Sequence, residues 1–320
     1  LGGLGGALLG PRRARRHARP GRGAIARRGG DEKASPFRVE ALEGRGLGAI
    51  AARDVKEGEL VVAERPLISW EGGEGAWLAR VRAQADALPG RARSALLALS
   101  DAFAPIDSEK TLDGVLRTNC FVRGDGDEGG IVCEVLSRFN HSCDPNCEAT
   151  WDETMGQKRV YASRDVLAGE ELCLAYVDPR APAADRRSSL LDRYGFACGC
   201  DACSHATPAK DARRAEMLAL DGQVSVLGPG DAARGAALAR RLDELYEEER
   251  LHVHSFRMRA CYCLFQFSLI LKDVAEARRW AGRARHHAEM CRGPQHADTQ
   301  LLLECQQRPE DHPAYQQAPS

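Results

Sequence analysis

The sequence predicts an α+β fold, with short strands in mixed order through the N-terminal two thirds and helices thereafter. Three observations carry that prediction. Between Phe37 and Asp178, apolar and partly β-branched pieces alternate with charged or Gly-containing turns, the mark of short strands. Helical spacing interrupts that run over about residues 74–117. After Cys203, apolar residues recur every three to four positions in successive stripes.

In chain order, the first strands are expected at Leu47–Ile50, Leu60–Val62 and Pro66–Ser69. Leu78, Val81, Ala85 and Leu88 then keep helical spacing, as do Ala92, Leu96 and Leu99. Strands return at Cys120–Val122, Ile131–Val135, Glu148–Trp151, Arg159–Tyr161 and Leu172–Tyr176. One pattern occurs twice: Arg53-Asp-Val55 precedes Gly58-Glu59, and Arg164-Asp-Val166 precedes Gly169-Glu170. A similar strand–turn–strand unit is therefore expected to bracket the middle of one domain. The C-terminal stripes are Leu238, Leu242 and Leu245; then Val253, Phe256, Ala260, Leu264, Phe267 and Leu271; then Val274, Ala277, Ala281, Ala284 and Ala288. The tight Lys272-Asp273 junction predicts an antiparallel helix pair. Gly228-Pro-Gly230 sets off a shorter helix before them, and the Gln- and Pro-rich residues 306–320 are expected to be disordered.

Composition narrows the function. The 320 residues are 43% hydrophobic and 28% charged, as in ordinary globular proteins. No apolar run reaches the roughly 20 residues of a membrane span, so no membrane partner is expected. The net charge of −1 hides an asymmetry, because residues 1–30 hold eight Arg and no acid. Without them 37 basic residues face 46 acidic ones, a net −9. Such a body favours basic partners and argues against direct nucleic-acid binding through phosphates. The Arg-rich segment, taken as a disordered tail over 1–34, equally fits a nuclear-import patch or part of an organelle transit peptide. None of the 12 Cys precedes Cys120, and three crowd into Cys198-Gly-Cys200-Asp-Ala-Cys203. Tight clusters in a chain of this size read as metal ligands in a reducing, intracellular compartment. The acids of Gly124–Gly130 lack the length and final Glu of a calcium loop.

The informative segment is Ser137-Arg-Phe-Asn-His-Ser-Cys-Asp-Pro-Asn-Cys147, followed by Gly169-Glu-Glu-Leu-Cys-Leu-Ala-Tyr176 and Arg193-Tyr-Gly-Phe-Ala-Cys198. With the early Gly44-Arg-Gly46 turn, this ordered set resembles SET-domain protein-lysine methyltransferases with a post-SET zinc element. The resemblance covers roughly residues 37–203. It is nearest to the SET-and-MYND branch, although the Cys/His-rich MYND finger of that branch is missing here. The resemblance implies a SET domain over 35–180, a post-SET zinc segment over 181–206 and an all-α, TPR-like domain over 207–305.

It also implies roles. Gly44, Arg45, Gly46, Asn119, Ser137, Asn140 and His141 would hold S-adenosyl-L-methionine, with Phe196 packed on its adenine. Tyr176 would orient the attacking amine, while Phe121 and Tyr194 line the lysine channel. Cys198, Cys200 and Cys203, with Cys143 as the family's fourth ligand, would bind one structural Zn2+. The implied activity is methyl transfer to the ε-amine of lysine in a protein or peptide, histone or otherwise, in nucleus or cytoplasm. Two other readings stay open: an inactive SET-derived interaction module, and a zinc-binding structural or DNA-associated module. No feature of the sequence marks an oligomer interface.

Overall fold

A computed structural model describes residues 35–72, 77–104, 108–124 and 129–317. The basic segment 1–34 and the acidic turn at 125–128 lie outside the described residues. Strands β1 (Phe37–Leu42) and β2 (Gly46–Ala51) form a hairpin. Its turn is closed by the Arg45 amide on the Leu42 carbonyl at 3.1 Å, with Gly44 and Gly46 both at positive φ. β3 (Leu60–Glu64) and β4 (Ile68–Trp70) follow, then helices α1 (Trp77–Asp86), α2 (Gly90–Leu97) and α3 (Leu112–Asn119). Thr111 caps α3 by accepting the Gly114 amide. Asn119 ends this helix, whose Val115 and Leu116 bury against α1 and α2.

Next come β5 (Cys120–Val122), β6 (Gly130–Val132), β7 (Cys147–Asp152), β8 (Gln157–Ala162) and β9 (Glu171–Leu172). Three antiparallel sheets result, ordered β1-β2-β9, β3-β8-β7 and β4-β6-β5. Two strands are shorter than expected, and side chains are the reason. The Glu64 carboxylate takes the amides of Glu134, Val135 and Leu136 at 2.7–3.1 Å, so β6 stops at Val132 and the chain turns. Beyond Leu172, the Cys173 amide goes to the Asn146 side chain at 2.8 Å and the Tyr176 amide to His141 Nδ1 at 3.0 Å. The segment to Tyr176 is therefore threaded against the Asn140–Cys147 loop instead of extending a strand.

The duplicated pattern becomes a pair of turns docked on each other. Val55 and Val166 exchange both backbone hydrogen bonds at 2.9 Å. Asp54 accepts the Ala168 amide at 2.9 Å, and Asp165 accepts the Glu57 amide at 3.0 Å. Arg53 pairs with Glu59 and Arg164 with Glu170, while Gly58 and Gly169 supply the positive φ each turn needs.

The remaining helices are α4 (Ala183–Tyr194), α5 (Asp201–Ser204), α6 (Pro208–Val226), α7 (Ala232–Glu248), α8 (His254–Ile270), α9 (Val274–Arg292) and α10 (Ala297–Gln307). α8 and α9 form the expected helix pair. α6, at 19 residues, exceeds the 17 of α7, contrary to the expected shorter helix. The stretch after Arg308 also departs from expectation. Prolines open 3-10 turns at Pro309–Asp311 and Pro313–Gln316, burying Ala314 and seating His312 against Tyr262 and Phe265. Lys272 lies over the Tyr315 ring at 4.3 Å, so apolar and aromatic contacts hold this segment down. The helical region is fastened to the strands by Glu148 of β7, whose carboxylate accepts the His254 and Ser255 amides at the start of α8.

Candidate active site and four-thiol centre

The loop that follows the Glu64-bound turn lies beside the residues threaded after β9, and together they wall a cavity of about 790 Å³. Its lining includes Gly44, Arg45, Asn119, Ser137, Asn140, His141, Tyr176, Tyr194 and Phe196. Gly46 starts β2 and does not line this cavity. Phe121 packs on the main strand core and lines neither large cavity. Asn119 spends its amide hydrogens on the Ser100 and Val115 carbonyls, at 2.8 and 2.7 Å. Ser137 donates to the Cys133 carbonyl at 2.6 Å.

Two aromatic rings lie beside His141, and a third lies beside one of them. The His141 centroid lies 5.3 Å from Tyr176 and 6.1 Å from Phe196, and Tyr176 lies 4.9 Å from Tyr194. The Tyr176 hydroxyl donates to the Phe139 carbonyl at 2.7 Å. Burial pushes this phenol well above its ordinary pKa, with Tyr194 and Cys173 adding to the rise, so it stays protonated near neutral pH. Burial first, and Arg186 and Arg45 further, lower His141 to about 4. Its neutral ring accepts the Tyr176 amide at Nδ1, which leaves Nε2–H to face Cys143 Sγ at 3.2 Å. One imidazole thus ties the backbone of Tyr176 to a sulfur.

Sequence reasoning left Glu171 without a role. Its carboxylate receives the Asn140 amide at 2.9 Å and pairs with Arg45, which also donates to the His141 carbonyl at 3.1 Å. Its only mark in the sequence is its place in Gly169-Glu-Glu. The alternation that pairs β9 with β2 could have indicated that it faces this turn.

The sulfurs of Cys143, Cys198, Cys200 and Cys203 all lie within 4.8 Å of one another. Cys143 Sγ is 3.5 Å from Cys203 and 4.0 Å from Cys198. Four thiolates held about 2.3 Å from a tetrahedral zinc would sit about 3.8 Å apart, so the donor set and spacing fit that ion. The electrostatics agree. The Cys143 thiol hydrogen bond, with help from its amide at 3.4 Å, lowers Cys200 to about 3. The same bond, together with burial, drives Cys143 far upward, and burial raises Cys198 to about 11. Among the coupled sulfurs, Cys200 thus holds negative charge most readily. Cys120, Cys133, Cys147, Cys173, Cys261, Cys263, Cys291 and Cys305 lie outside this cluster.

Residues 46–177 match the family model described as SET domain. The chain carries a SET domain over these residues. It is 29% identical over 220 residues to the histone-lysine N-methyltransferase set5 of Schizosaccharomyces pombe, covering 66% of each chain. Over 89 residues it is 42% identical to human histone-lysine N-methyltransferase SMYD3, covering 28% of this chain and 19% of that one. Over 92 residues it is 36% identical to N-lysine methyltransferase SMYD2-B of Xenopus laevis, covering 29% and 20%. The chain therefore spans just under two thirds of the first relative and about a fifth of the other two. These likenesses set it close to the SET-and-MYND branch.

Proposed function

We propose that this SET-domain protein transfers a methyl group from S-adenosylmethionine to the ε-amine of a lysine in a protein substrate. The observation that carries the reading is the convergence, in one cavity, of the Gly44–Arg45 turn, Asn140, His141, Tyr176, Tyr194 and Phe196. Amide and backbone groups there suit the amino-acid end of the donor, and Phe196 offers a face for adenine. The names of the relatives point to the same chemistry.

The displacement needs alignment and a neutral amine more than a strong acid. A free lysine has a pKa near 10.4, so well under about 1% is neutral at pH 7, and a dry aromatic channel favours loss of the proton. The protonated Tyr176 hydroxyl and the Tyr194 ring would hold that amine in line with the methyl group. A second cavity of about 810 Å³ lies between β7–β8 and α8, and Asp178, two residues past Tyr176, lines it. It is the natural seat for the substrate chain. Its wall pairs Arg159 with Asp152, Arg180 with Asp178 and Asp221, and Arg292 with Asp298. Three of its four lining carboxylates are thus paired, and the fourth, Glu153, accepts the Trp151 indole N–H.

Zinc, held by Cys143, Cys198, Cys200 and Cys203, would supply a cross-link and no reacting group. The test is calorimetry with S-adenosylmethionine, zinc analysis, and methyl transfer to core histones and to Lys-containing peptides. Wild type should hold one zinc, bind the donor and label a substrate, and Cys200→Ser should lose zinc and donor binding together. A folded, zinc-loaded wild type that fails to bind the donor would turn the reading to an interaction module.

A further inference from the structure

Arg186, in the first turn of α4, is 1% exposed. Its Nη1 donates to the Ala181 carbonyl, and its Nη2 reaches the Ala202 carbonyl at 3.3 Å and Cys203 Sγ at 3.7 Å. Its Nε has no partner, and among the described residues no carboxylate lies within ion-pair distance of it. A guanidinium stays charged in any protein, so burying one without an anion is expensive, whatever carbonyls it meets. Its nearest source of negative charge is the four-sulfur cluster. Four thiolates around one divalent ion carry a formal charge of −2, which a buried site must balance.

We infer that Arg186 is the counter-cation of the four-thiolate centre and sets how tightly the post-SET segment holds its metal. This rests on the reading that the cluster binds zinc. The consequence reaches the active site along α4, because the helix whose first turn holds Arg186 ends at Tyr194, with Gly195 and Phe196 directly after it. The charge balance of the metal and the position of two cavity rings thus share one helix. Arg186 touches none of the reacting atoms, so its role is positional.

The test is zinc affinity, measured by competition with a chromogenic chelator on the full chain, for wild type, Arg186→Lys and Arg186→Gln. Charge compensation predicts that Lys stays within about threefold of wild type while Gln weakens zinc at least tenfold. A Gln variant that folds and holds zinc as tightly as wild type overturns the inference. So does a Lys variant that loses at least tenfold, since the carbonyl contacts and not the charge would then matter. If Gln fails to fold, the comparison of Lys with wild type still decides by those thresholds. A wild type that binds no zinc overturns the underlying zinc reading as well, and is distinguished by metal analysis before any variant is made.

Discussion

At the scale of single residues, the site separates groups that would touch the reaction from groups that hold them. Tyr176 belongs to the first kind. Its hydroxyl is already engaged with the Phe139 carbonyl at 2.7 Å, so its direction is fixed before any ligand arrives. Tyr176→Phe should lower kcat about 100-fold, the usual cost of misplacing a reacting pair, while the dissociation constant of the donor moves less than about twofold. Initial rates and calorimetry on the same preparation check both halves; a large loss of donor binding would make this tyrosine a binding residue instead. Asn140, His141 and the four cysteines of the sulfur cluster were legible because they lie in short, chemically specific runs. Glu171 and Arg186 were not. Each acts through a neighbour that only folding supplies, and one arginine among 45 basic residues carries no local mark of burial.

At the scale of elements, amphipathic helices were readable because their spacing is fixed by the backbone alone. The stripe through Ala277, Ala281, Ala284 and Ala288 is fully buried in α9, as periodicity requires. Strand ends were less readable, since a side chain from elsewhere can take the amide that a neighbouring strand would have used. Glu64 is the clearest instance, ending β6 by capturing three successive amides of the turn that leads into Ser137. Burial raises its pKa while the three amides pull it back. Glu64→Ala should leave those amides without an acceptor and cost about 2–3 kcal/mol in denaturant unfolding, more than a typical surface change. Donor affinity should fall with it, because the loop carrying Asn140 starts from that turn. Unchanged affinity in a destabilised variant would confine Glu64 to stability.

At the scale of the whole molecule, strands and helices meet across a buried pair of imidazoles. His254 Nε2 donates to the Ser163 carbonyl at 3.0 Å, which leaves its Nδ1 to accept from His287 Nδ1 at 2.9 Å. Burial, with Arg257, His254, His286 and Arg283 around it, lowers His287 to about 2, while Glu57 faces His254 from the strand side. The unfolded imidazole titrates near 6.5, so the unfolded chain takes up protons first as pH falls. Stability is therefore full above about pH 6.5 and declines below it, by about 2 kcal/mol at pH 5 for this one group. His287→Gln should remove that share of the acid slope when unfolding is followed at pH 5 and pH 8; an identical slope would clear the pair of any role. The four-sulfur cluster has a different consequence, one of timing. Cys143 is separated from Cys198 by 55 residues, and closing so long a loop is slow relative to forming a hairpin. During synthesis, the Asn140–His141 loop would emerge well before the cysteines that clamp it. A nascent chain whose donor site needs that clamp would become able to hold a donor only after Cys203 has left the ribosome.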